Sequence, residues 1–153
     1  MKRDLPPVEA LRANLEGQFA LPTAAADYLC ALFKTIQGLD DWVDGDELAR
    51  DDKDAAIWNA VAGLQLLPFY MQHAAMLLPL QANAFLKWKA ADTAERAGQA
   101  SPMAYAWRAG FYDIVLQCVL IVHGPHKAMA VAHEVMGLYG ETLDDYLKEF
   151  PRA

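Results

Sequence analysis

The chain has 153 residues, 55% apolar and 22% charged, which is enough to build one substantial core and the wrong composition for a disordered chain. Its 13 Lys and Arg face 20 Asp and Glu, for a formal charge of −7, and the close pair Lys87 and Lys89 is followed at once by Asp92 and Glu95. With no basic patch, no nucleic-acid partner is expected.

The opening residues Met1 to Pro7 lack an apolar signal stretch, and the longest strongly apolar run, around Ile114 to Val122, is too short to cross a bilayer. The expectation is a cytoplasmic protein without membrane association. Cys30 and Cys118 both lie in apolar helical segments, where a thiol behaves as a small hydrophobe, so both are expected buried and reduced.

In chain order, Pro6 and Pro7 suit a first helical turn and Gly17 a stop, predicting a helix from Pro7 to Glu16. Pro22-Thr23 starts a long second helix, with Thr23 as cap, and Leu29, Leu32, Phe33, Ile36, Leu39 and Val43 recur at helical spacing until Asp44-Gly45-Asp46. A third helix is predicted from Asp51-Asp52 to about Leu67, with Ile57, Val61 and Leu64 as its inner stripe and Pro68 as its stop. Phe69 to Leu78 and Leu80 to Ala97 read as two helices broken at Pro79, or one kinked helix, ending at Gly98.

Ser101-Pro102 is a capping serine followed by proline at the first helical position, and Gly124 is the matching stop. The segment between, about 102–123, is apolar almost all round, as befits the central helix of a bundle. Pro125 to Tyr139 and Thr142 to Phe150 complete the set, separated by Gly140. No alternation at period two competes. The predicted fold is all-α, a single domain over 1–153 built as a bundle of about six to eight helices.

Chemistry is concentrated in Leu39-Asp40-Asp41-Trp42-Val43-Asp44-Gly45-Asp46, with four carboxylates at the end of an apolar helix. At about 100° per residue Asp40 and Asp44 border the apolar stripe and Asp41 points outward. Carboxylates one turn apart repel each other and oppose the helix dipole, and a hard cation such as Mg²⁺ would relieve both. A solvated helix terminus explains the same residues without a ligand.

A second carboxylate pair lies on the helix that contains Leu80, Ala84, Trp88, Ala91 and Ala94. There Glu95 falls inside the stripe beside Trp88, and Asp92 on its flank. A buried glutamate needs a cation or an arginine near it. Arg108, flanked by Tyr105 and Tyr112, is the protein candidate, either as an internal ion pair with Glu95 or Asp40 or as a bidentate contact for a substrate phosphate or carboxylate. Asp113 projects opposite Arg108, toward another helix or solvent. His123 and His126 straddle Gly124-Pro125, and neither His73 nor His133-Glu134 forms a ligand pair; partly buried, hydrogen-bonded imidazoles are expected.

The run Asp40-Asp41-Trp42-Val43-Asp44 resembles the DDxxD motif of class I isoprenoid synthases, which bind Mg²⁺ and diphosphate in an α-bundle. That resemblance implies that Asp40 and Asp44 carry metal with Asp41 assisting. The steps back from Glu95 fall on Ala91 and Lys87, which do not match the second motif of those synthases. The pairs Asp41-x-x-Asp44 and Asp92-x-x-Glu95 are similar to the paired carboxylates of all-α pyrophosphohydrolases of the MazG and dimeric dUTPase type, though the first pair here is Asp rather than Glu. The order of an Asp-rich helix end, Trp88 to Glu95 and Trp107-Arg108 to Asp113 resembles small uncharacterised phage and prophage proteins over most of the chain.

Two functions are thereby expected. One is Mg²⁺-dependent action on a phosphate or diphosphate compound, with Asp40, Asp41, Asp44, Asp92 and Glu95 as metal ligands and Arg108, Tyr112 and Trp88 contacting substrate. Its catalytic group would be a metal-bound water. The other is a non-catalytic phage or prophage protein that binds a host or phage partner. The apolar excess and the dimeric families of similar spacing also imply a homodimer.

Overall fold

The computed structural model describes residues 8–151, so Pro6 and Pro7, which the sequence places at the first helix start, lie outside the described residues. Among those residues there are eight α-helices and no strand, the all-α class that the helical periodicity predicts. They form two compact units that meet in sequence at residues 74 and 75, inside the fourth helix.

In residues 8–74, α1 (Val8–Glu16) buries Leu11 and Leu15, and α2 (Thr23–Val43) buries Ala25, Ala26, Tyr28, Leu29, Leu32 and Phe33. An ion pair of 2.8 Å between Arg12 and Asp27 ties the two together. Thr23 does not cap α2. The helix begins one residue earlier than the cap reading requires, with Pro22 as N-cap and its carbonyl accepting from the amides of Ala25 and Ala26 at 3.0 and 3.1 Å. Its end is the predicted one: Asp44 closes the last turn and Gly45 takes φ +83°, open to glycine without strain.

Next comes α3 (Arg50–Trp58), whose first turn carries Asp51 and Asp52 at the electropositive end of the helix. It packs through the buried Ala56, whose Cβ stands 3.5 Å from where a Cβ on Gly38 of α2 would be, an ordinary contact distance. A single π-helical turn, Asn59–Gly63, follows. The inner stripe read from the sequence is only partly formed: Leu64 is buried, but Ile57 and Val61 face solvent. Ala56 takes the contact, and the wider π turn shifts the register that a regular helix would continue. The opening turn of α4 (Pro68–Arg96) then sets Phe69 and Tyr70 against Tyr28, with ring centroids 6.1 and 5.9 Å away.

The kink in α4 lies at His73, whose φ of −123° and ψ of 20° leave the helical region, and Pro79 sits inside the continuing helix. Within residues 75–151, α4 ends on a Schellman motif: Gly98 has φ +67°, its amide donates to Glu95 O at 3.1 Å and the amide of Gln99 to Ala94 O at 2.8 Å. Ser101 caps α5 (Pro102–Trp107) by accepting from the amide of Ala104, as the sequence predicts. The helix expected over 102–123 is nevertheless interrupted. Its hydrogen bonds tighten to i−3 spacing at Ala109, Tyr112 and Asp113, and α6 (Phe111–His123) starts after Gly110.

The cause of the break is tertiary. A Cβ on Gly110 would stand 2.7 Å from the Cβ of Ala84 and 2.9 Å from its Cα, so the backbone at 110 lies directly on α4. From there α6 supplies the most apolar core face, with Ile114, Val115, Cys118 and Val119 buried, each contributing about 1.5–3 kcal/mol where fully buried. Gly124, at φ +82°, turns the chain into α7 (Pro125–Val135), which buries Val131 and Val135. A 3₁₀ turn, Met136–Leu138, leads to α8 (Leu143–Glu149), capped by Thr142, whose hydroxyl accepts from the amide of Asp145. Among the described residues no single helix is long and apolar enough to cross a membrane.

Candidate functional site

The last turns of α4 deliver Asp92 and Glu95, and the break between α5 and α6 delivers Arg108. The Glu95 and Arg108 side chains are 10% and 6% exposed, with Oε1 and Nη1 3.5 Å apart. That separation makes an ion pair but not a charge-assisted hydrogen bond, which needs about 2.7–2.9 Å, and Nη1 is buried without a hydrogen-bond partner. Tyr146 of α8 donates its hydroxyl to Glu95 Oε1 at 3.0 Å. The guanidinium lies 5.3 Å from the ring centroids of both Tyr146 and Phe150, close enough for cation–π attraction. Its fork is thus enclosed by one carboxylate and two rings from its own unit.

Three further tyrosines continue this cluster. Tyr105 donates to the carbonyl of Glu141, Tyr112 to the carbonyl of Leu138 at 3.2 Å, and Tyr139 to the Glu141 carboxylate at 3.3 Å. Ring centroids of Tyr105 and Tyr139 are 5.0 Å apart, those of Tyr112 and Tyr139 5.3 Å, and those of Tyr105 and Tyr146 5.5 Å. Burial pushes the Tyr112 phenol up to about 12. Tyr139 and Tyr146 are raised by burial too, and further by the facing carboxylates Glu141 and Glu95. All are therefore neutral donors near neutral pH, suited to holding 138–150 against α5 and the start of α6 and unsuited to serving as bases.

Asp92 is buried and held from two sides, by Lys89 and Arg96 at 2.9 Å each. Burial pushes its carboxyl up, but the hydrogen bonds and charges of Lys89 and Arg96 outweigh that and hold it below the ordinary range. Asp113 meets Lys87 of α4 at 2.8 Å, on another helix as the wheel predicts. Trp88 is half-buried, 5.9 Å from the ring of Phe85. Of the substrate residues expected from sequence, Arg108 and Tyr112 thus belong to the tyrosine cluster and Trp88 lines α4.

Asp40, Asp41 and Asp44 belong to the other unit. Asp40 and Asp41 are half-buried at the end of α2 and Asp44 is exposed. The turn is closed through backbone bonds, from Asp44 N to Asp40 O and from Asp46 N to Asp41 O, each 2.9 Å. The five carboxylates predicted as metal ligands thereby fall into two groups, Asp40, Asp41 and Asp44 in one unit and Asp92 and Glu95 in the other. Among the described residues no group of three or more His, Cys, Asp or Glu side chains is arranged to hold a metal ion. His73 packs on Phe69 with centroids 4.8 Å apart, while His126 and His133 are exposed.

The end of α2 and all of α3 show a second feature. Residues 40–54 contain eight carboxylates against Arg50 and Lys53, and so hold −6 of the chain's −7 formal charge. Arg50 pairs with Asp54 at 2.9 Å, and Lys53 lies 5.7 Å from the Trp42 ring centroid. Next to this acidic run the chain exposes Trp42, Val43, Ile57, Trp58 and Val61, with Trp58 57% and Val61 76% exposed. The exposed Trp58 lies along the π turn, its indole nitrogen 2.8 Å from where a Cβ on Gly63 would stand. Sequence reasoning missed this face by turning Ile57 and Val61 inward. The signal was the uncharged run from Ala55 to Leu67 directly after the acidic one.

A scan against protein-family models finds no match to this chain, and neither the curated proteins nor the solved structures contain a match.

Proposed function

We propose that this chain is a non-catalytic helical protein that binds a protein partner through the acid-flanked apolar face of α2, α3 and the π turn. The observation that carries this reading is the exposure of Ile57, Trp58 and Val61 on a segment adjoining most of the chain's negative charge. Large apolar side chains grouped on one exposed segment mark interaction surfaces, and π turns recur at functional positions. Charge complementarity assigns the partner a basic rim around an apolar helix face or groove. In keeping with the resemblance to phage and prophage proteins, that partner is a host or phage protein. The acids of the other unit support the same reading, because Glu95 and Asp92 are each engaged by cations of their own unit.

Mg²⁺-dependent action on a phosphate or diphosphate compound is the second reading, favoured by the half-buried Asp40 and Asp41 at the end of α2, where negative charge opposes the helix dipole. One pair of measurements separates the two. A photo-crosslinking residue at Val61, with a control at exposed Lys34, should give a discrete adduct in expressing cells from Val61 alone, mapped to a basic, apolar-faced segment and lost with Trp58→Glu. No adduct at Val61, together with a melting temperature that rises in millimolar Mg²⁺ and ceases to rise with Asp44→Asn, would replace partner binding by metal binding.

A further inference from the structure

We infer that the outward face of α4 is a self-association surface whose occupant is the α4 of a second copy of this chain, running antiparallel. From Ala74 to Leu86 the sequence contains no charged residue, so this part of α4 is apolar on two sides. The inner side is occupied: Leu77 and Ala91 are buried, and Ala84 lies against Gly110. The outer side carries Ala75, Leu78, Ala82, Phe85 and Lys89, spaced 3, 4, 3 and 4 residues apart, the a/d alternation of a coiled-coil seam. All five are exposed, Leu78 by 55% and Phe85 by 60%, and Leu86 beside them by 65%.

A helix apolar on both sides is normally covered on both. The outer seam suits its own copy because its residues are arranged symmetrically about a small one. With a two-fold axis through Ala82, Leu78 of one copy faces Leu86 of the other and Pro79 faces Phe85. Every bulky side chain then meets an apolar one across a crossing point small enough for close approach, the self-complementarity that a two-fold contact demands. Ala75 faces Lys89, so no like charges are opposed.

The area is consistent with this occupant. Covering Leu78, Pro79, Phe85, Leu86 and the two alanines removes roughly 500 Å² per copy, or about 1,000 Å² in all, the lower bound of a specific interface. An interface at that lower bound belongs to the weak, non-obligate class of contacts.

Sedimentation velocity of the full chain, at concentrations between about 1 and 200 µM, tests this, since such a dimer should form within that range. The expected result is a concentration-dependent shift from one copy to two. Leu86→Glu alone and Leu78→Lys alone should each hold the chain as a monomer with unchanged helical circular dichroism, because both positions are solvent-facing in the single chain. The double variant L78K/L86E should dimerise again, because the axis through Ala82 sets each new lysine against a new glutamate. A wild-type chain that stays monomeric throughout, a dimer indifferent to Leu86→Glu, or a double variant that stays monomeric would each overturn the proposal.

Discussion

Arg108 and Glu95 show how a buried charge pair is tolerated when its geometry is imperfect. Their closest approach of 3.5 Å is too long for a strong hydrogen bond, and the Tyr146 hydroxyl on Glu95 and the two rings beside the guanidinium add to the stabilisation. Removing the arginine alone leaves a buried carboxylate at Glu95 without its cation, and Arg108→Met should destabilise the chain by about 3 kcal/mol. Replacing both partners by apolar groups of similar volume removes the desolvation penalty together with the attraction. Arg108→Met combined with Glu95→Leu should therefore recover most of the loss. Urea unfolding of the single and double variants measures this, and a double variant no more stable than Arg108→Met would show that the two residues do not act as a unit. That Arg108 and Glu95 turn inward was legible in the sequence, because both fall on apolar stripes at helical spacing, but periodicity left Glu95, Asp40 and a bound anion as alternative partners for the arginine. The tyrosines were not legible: Tyr139 reaches the cluster from the irregular stretch after the 3₁₀ turn and Tyr146 from the short α8, and no periodicity links them to Arg108.

At the scale of elements, the contact between α4 and the start of α6 rests on one missing side chain. A methyl group at 110 would stand 2.7 Å from the Cβ of Ala84 and 2.9 Å from its backbone, and backbone cannot swing aside as a flexible side chain can. Gly110→Ala should thus destabilise by about 2 kcal/mol, as overpacked sites do, whereas the same change at Gly137, with nothing near its Cβ, should fall within about 0.5 kcal/mol. Thermal unfolding monitored by circular dichroism distinguishes them, and equal effects at both positions would remove steric contact as the cause. The same contact explains which elements were readable. Starts and stops governed by local chemistry, at Ser101, Gly45, Gly98 and Gly124, appear where the sequence places them. The interruption at 108–110, the kink at His73 in place of Pro79 and the π turn at Asn59–Gly63 do not; the first follows from the packing of Gly110 on Ala84, a tertiary contact that no local pattern encodes. The outward turn of Ile57 and Val61, and with it the candidate binding face, goes with the burial of Ala56 and the register change of the π turn, neither of which a regular 3.6-residue period foresees.

Across the whole molecule, charge is distributed so that two kinds of contact respond differently to salt. Residues 40–54 hold −6, while residues 75–153 carry seven cations against eight carboxylates and so stand at −1. A basic partner drawn to the apolar face beside the acidic run is attracted through water over about one Debye length, which shrinks from roughly 14 Å at 50 mM to about 4 Å at 500 mM monovalent salt. Its affinity should fall by about tenfold or more over that range, mainly in the association rate. The α4 seam itself opposes no like charges, with no charged residue from Ala74 to Leu86, and the apolar contact it makes is not weakened by sodium chloride. The dimer midpoint should accordingly move by less than about twofold over the same range. Sedimentation at the two salt concentrations, with Leu86→Glu as the monomeric reference, measures that shift. A dimer that dissociates at 500 mM salt would mean that the charged run, and not the uncharged helix face, joins the two copies.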